Sequence, residues 1–141
     1  MIVLDTGPLV AAALTRDAHH VTCARLLTEA HARGVPLVVP GPVAVEVCLV
    51  LESRAGAKVE AQFAEALASE AFTLVELQPA DWGRVAELIQ RYADFPLGAV
   101  DAAVVAVAER LGARQVATVD RRHFSVVQAA HGPLTLLPEK L

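Results

Sequence analysis

Ile2-Val3-Leu4, Leu37-Val38-Val39 and Val116-Ala117-Thr118-Val119 are short runs without polar alternation, and segments of helical length separate them. A strand with one face in water alternates apolar and polar residues, whereas a strand covered on both faces does not. Thr73 to Leu77 and Leu134 to Leu137 read as two further strands. The pattern predicts an α/β fold, a mostly parallel central sheet of about 4–5 strands flanked by helices in three layers. In such sheets the functional site lies beyond the carboxyl ends of the strands. Asp5 and Asp120 stand at two such ends.

The intervening segments carry helix signals. Asp5 or Thr6 caps a first helix with Pro8 in its opening turn, reaching about Leu14. Ala18, Val21, Ala24, Leu27 and Ala30 mark a second, stopped by Gly34. Gly41-Pro42 opens a third that ends near Gly56, and Val59, Phe63, Ala66 and Leu67 line a fourth. Pro79 and Asp81 start a fifth that runs through Tyr92. A sixth, very apolar helix follows Gly98 and ends at Gly112. No linker, repeat or low-complexity tract divides residues 1–141, so one domain is expected.

Within this apolar background, which is 55% of the chain, certain acids look out of place. Asp5 ends the first strand. Glu46 lies in Val43-Ala44-Val45-Glu46-Val47-Cys48-Leu49, where exposure of the whole turn is not expected. Asp101 is the only charge between Phe95 and Glu109, and Asp120 follows the Val116–Val119 strand. Each has an ordinary alternative: a helix cap for Asp5, a first-turn Glu favoured by the helix dipole, a buried Asp bonded to backbone amides, a turn residue for Asp120. Together, at one edge of a sheet, acids repel unless protons or cations separate them. Hard divalent cations, Mg²⁺ or Mn²⁺, suit all-oxygen ligands. No Cys or His spacing suits zinc, no Gly-rich phosphate loop is present, and no Ser or Cys has an evident base partner. Metal-assisted phosphodiester hydrolysis fits best.

The net charge of −4 argues against a simple basic duplex-binding module, but a cation-holding acid cluster is compatible with a nuclease. The opening residues lack a signal-peptide pattern and no apolar run reaches membrane length, so a cytoplasmic protein is expected. Cys23 and Cys48 read as reduced core residues, and His19-His20 as a solvated helix start.

Four blocks in order resemble the PIN-domain ribonucleases, in particular the VapC-type toxins of type II toxin–antitoxin pairs. They are Ile2-Val3-Leu4-Asp5-Thr6-Gly7-Pro8-Leu9-Val10, the Glu46 helix after Val39-Pro40, Tyr92 through Leu97 with Asp101-Ala102, and Ala117-Thr118-Val119-Asp120-Arg121-Arg122-His123-Phe124. The resemblance covers nearly the whole chain. It implies a PIN-like fold and a Mg²⁺- or Mn²⁺-dependent endoribonuclease acting on tRNA or rRNA. It places the family's acidic set on Asp5, Glu46, Asp101 and Asp120, as metal ligands and catalytic groups. Thr6 and Thr118 would orient an acid or touch substrate. Arg121 and Arg122, with Arg16 and His123, would meet phosphate. Asp94 falls in a matching block, where a loop or capping role is as reasonable. Implied partners are RNA, a VapB-type antitoxin and a second copy of the chain, with no membrane. Leu9, Val10 and Leu14, or the fourth and fifth helices, would supply partner grooves. Few aromatic side chains are available for base stacking. The alternatives are a catalytically silent PIN-fold binding module and a haloacid-type phosphatase; the latter wants an Asp where Gly7 stands.

Overall fold

The computed structural model describes residues 1–141. Its strands are β1 (Ile2–Leu4), β2 (Leu37–Pro40), β3 (Thr73–Val75), β4 (Gln115–Ala117) and β5 (Thr135–Leu137). The helices are α1 (Thr6–Ala13), α2 (His20–Ala32), α3 (Gly41–Ala55), α4 (Ala57–Ala68), α5 (Pro79–Arg91), α6 (Ala99–Leu111) and the short α7 (Arg121–Phe124).

All strands pair in parallel, in the order β3-β2-β1-β4-β5. The uniformly apolar runs are the central strands. β1 and β2 are buried along their whole length, while the edge strands β3 and β5 are partly exposed. The chain winds outward from β1 through β2 to β3, then returns to place β4 on the other side of β1. Such a reversal opens a crevice beyond the carboxyl ends of the two strands that flank it. Here those ends are followed by Asp5 and Thr118, and Asp5 N donates to Ala117 O at 2.9 Å across the junction.

α6 explains its composition by its place. Ala102 through Ala108 are all buried, and the helix packs on β1, β2 and β4. Small residues let it approach the sheet closely, and only the ends of the helix carry charge. Gly112 closes it in the left-handed conformation, with φ of 65°. α5 is tied to α6 by two ion pairs: Arg84 Nε to Glu109 Oε2 at 2.9 Å, and Arg110 Nε to Asp81 Oδ2 at 2.9 Å. Asp81 is buried and also accepts from Gln78 N, so it caps α5 and anchors it.

The expected helices are all present, and the structure corrects detail. β4 stops at Ala117 rather than Val119, and Asp120 becomes the N-cap of α7, a helix the apolar pattern did not predict because it is only one turn long. The turn around Glu46 is not enclosed. Val43, Ala44, Val47 and Leu51 form the buried stripe of α3, which leaves Val45 and Leu49 about 60% exposed, at 61% and 60%. His20 is not simply solvated, since its Nδ1 lies 2.9 Å from Ala11 O. Cys23 and Cys48 are free thiols. No helix is long and apolar enough to cross a membrane.

Candidate active site

Four acids are delivered to the reversal point by four different elements. Asp5 follows β1 and precedes α1 in extended conformation. It is 5% exposed. Its Oδ2 accepts from Thr118 Oγ1 at 2.8 Å, and the Thr6 backbone N–H also supports the carboxylate. Burial nevertheless pushes its pKa up to about 6, and the charges of Asp101 and Glu46 add to the shift. Asp101 lies in the first turn of α6, where the helix dipole and the nearby Gly98 amide favour an anion. Its carboxyl is also raised, first by burial and then by Asp120 and Glu46, while His123 opposes the rise. The charges that act on Asp5 and Asp101 put these two acids in one electrostatic neighbourhood with Glu46 and Asp120.

Asp120 is held at both oxygens. Oδ1 accepts from Arg122 N at 3.1 Å and Oδ2 from His123 Nδ1 at 3.0 Å. Thr118 connects it to Asp5: the same hydroxyl that donates to Asp5 accepts from Asp120 N at 3.0 Å. Glu46, on α3, is half-buried and lines an open cleft with Val45, Leu49, Glu76, Trp82 and Val100.

The donor set is chemically right for a hard divalent cation: carboxylates only, repelling one another, beside the Thr6 hydroxyl, which is buried without a hydrogen-bond partner. No three of these side chains converge tightly enough in this structure to enclose one ion. The set fits a cation by charge and ligand type, with the carboxylates standing apart.

The other expected residues divide. Thr118 is fully buried between two acids. Arg122 is exposed, with its guanidinium carbon 5.2 Å from the centre of the Phe95 ring. Arg121 turns instead to the Pro138 carbonyl. Asp94 is exposed. His123, expected to meet phosphate, contacts the acids instead: Nδ1 is also 3.4 Å from Asp101 Oδ2. Its place three residues after Asp120 is the local signal that could have pointed there, had the one-turn helix α7 been predicted. Phe95, which packs edge-on against His123 with ring centres 5.1 Å apart, had no such signal.

The PIN domain family profile matches residues 2–129. The chain is 28% identical over 138 residues to ribonuclease VapC26 of Mycobacterium tuberculosis, covering 97% of this chain and 100% of that protein. Among solved structures it resembles Mycobacterium tuberculosis VapC20, a sarcin-ricin-loop-cleaving toxin, with a TM-score of 0.75 and 22% identity over 82% of this chain and 87% of that one. It also resembles VapBC2 of Rickettsia felis, solved bound to a DNA fragment from its promoter, with a TM-score of 0.70 and 15% identity over 96% and 98% of the two chains. The structural likenesses establish a shared fold.

Proposed function

The chain belongs to the PIN-domain family, and from that footing we propose that it is an endoribonuclease toxin that hydrolyses RNA phosphodiester bonds and is neutralised by a VapB-type antitoxin. The observation that carries this is the gathering of Asp5, Glu46, Asp101 and Asp120 from four elements at one strand-end crevice, with Asp5 buried. A fold that gathers acids at a strand-end crevice with no Lys or Arg ion pair to any of them suits a counter-charge.

Asp5, Asp101, Asp120 and Glu46 would hold Mg²⁺ or Mn²⁺. When bound, that ion supplies charge neutralisation at the scissile phosphate and an acidified water. The protein's own part is preparation. Thr118 fixes the orientation of Asp5 and ties it to the Asp120 backbone. Thr6, buried beside Asp5 in the chain, would support that acid from behind rather than meet the substrate. Arg122, exposed beside Phe95, would meet the RNA backbone.

An apolar groove would seat the antitoxin. One lined by Leu9, Leu27, Val59, Phe63, Ala66 and Phe72 suits an apolar helix. The exposed Val45, Leu49 and Trp82 supply an apolar patch for pairing with a second copy. A cytoplasmic location accords with this reading.

The deciding experiment is cleavage of total cellular RNA by antitoxin-free protein with Mg²⁺, Mn²⁺ or EDTA, beside Asp101→Asn. Discrete fragments that require the cation and vanish in the variant are expected. A folded protein that neither cuts RNA nor binds Mn²⁺ would leave a silent binding module as the better account.

A further inference from the structure

Two ionised carboxylates cannot hydrogen-bond each other, yet one nitrogen stands between Asp101 and Asp120. His123 Nδ1 is 3.0 Å from Asp120 Oδ2 and 3.4 Å from Asp101 Oδ2. Both neighbours are carboxylate oxygens, which only accept, so Nδ1 carries the proton. The imidazole is not loose. Its side chain is 19% exposed, and the Phe95 ring meets it edge-on at an interplanar angle of 72°. Arg122 N takes the second oxygen of Asp120, so α7 grips that carboxylate from both sides. Asp101 belongs to α6 and Asp120 is the N-cap of α7, and neither element fixes the separation of the two acids.

We propose that His123 is a positioning residue: its Nδ1–H bonds Asp120, faces Asp101 at 3.4 Å, and holds the two carboxylates together at the crevice. The proposal rests on the ribonuclease reading above and deepens it. Without this donor, repulsion drives the acids apart, and a cation must draw them back at the expense of its own affinity. The role belongs to one nitrogen, which makes it separable from simple packing. An Asn side chain places its N–H₂ near the position of Nδ1, whereas Gln reaches toward the position of Nε2.

The test compares His123→Asn, His123→Gln and His123→Ala by Mn²⁺ binding without RNA, and by cleavage of an RNA that the unaltered protein cuts. Supporting partners of metal ligands are worth about 10- to 100-fold, so Gln and Ala should lose about tenfold in Mn²⁺ affinity and more in kcat/KM, with Asn within about threefold of the parent. Equal behaviour of Asn and Gln in both assays overturns the proposal, as does undiminished Mn²⁺ affinity in Ala. If Ala fails to fold, the Asn–Gln comparison still decides. Should the parent cut no RNA, the Mn²⁺ series alone tests the positioning role and only the ribonuclease reading falls. A parent that neither binds Mn²⁺ nor cuts RNA overturns both.

Discussion

Thr118 Oγ1 donates to Asp5 Oδ2 at 2.8 Å, joining the ends of β1 and β4 across 113 positions of sequence. The same oxygen accepts from Asp120 N at 3.0 Å. One fully buried hydroxyl thus serves as donor to one acid and acceptor for the backbone of another. A buried polar group that loses its partner pays the full cost of desolvation.

Thr118→Val keeps the shape of the side chain and removes both bonds. We expect a loss of about 1–3 kcal/mol in urea unfolding, together with strongly reduced RNA cleavage. Thr118→Ser should retain most of both. A Val variant as stable as the parent would show that the hydroxyl holds nothing in place.

Metal-free protein should become less stable as pH rises through the weakly acidic range. The Asp5 carboxyl titrates near 3.8 when unperturbed and at about 6 when folded, so between those values the folded state binds more protons than the unfolded chain. Stability from this group is therefore present at low pH, is lost as pH climbs from about 4 to about 6, and is level above. The loss is of the order of 3 kcal/mol, and Asp101, raised in the same direction, adds to it. Thermal melts in EDTA across this range should show the decline, and Asp5→Asn should flatten it. An equal slope in the Asn variant would place the effect elsewhere.

Gly7 has no room for a side chain. A Cβ there would stand 2.3 Å from Val119 Cγ2, so the first turn of α1 rests directly on the segment between Thr118 and Asp120. Gly7→Ala must displace Val119, at a cost of about 1–3 kcal/mol. Cleavage should fall more than stability predicts, because the displaced segment carries an acid of the site. Adding Val119→Ala should recover much of the loss. Failure of that second change to help would refute the contact as the cause.

Much of the fold was legible because local patterns report burial. Unbroken apolar runs such as Ile2–Leu4 and Leu37–Val39 mark strands covered on both faces, and they are the interior strands β1 and β2. The Ala- and Val-rich stretch after Gly98 marks a helix pressed against the sheet, and α6 is that helix. Where a stripe covers only part of a helix, composition misleads. Val45 and Leu49 flank Glu46 with apolar side chains, yet they face outward, because Val43, Val47 and Leu51 already fill the buried side of α3.

The acids divide in the same way. Asp5, Glu46 and Asp101 stand out as charges beside apolar runs, yet each acid alone has an ordinary reading, and it is the set with Asp120 that points to a site. By itself the sequence determined that the chain is an α/β protein with acids at its strand ends, because strand burial and helix periodicity are written in near neighbours. Only the tertiary structure decided that β4 lies beside β1, that Thr118 bonds Asp5, that His123 reaches Asp101 rather than facing outward, and that Arg121 turns to Pro138. Those contacts join residues far apart in the chain, and no local pattern encodes which of many possible partners packing will bring within a few ångströms.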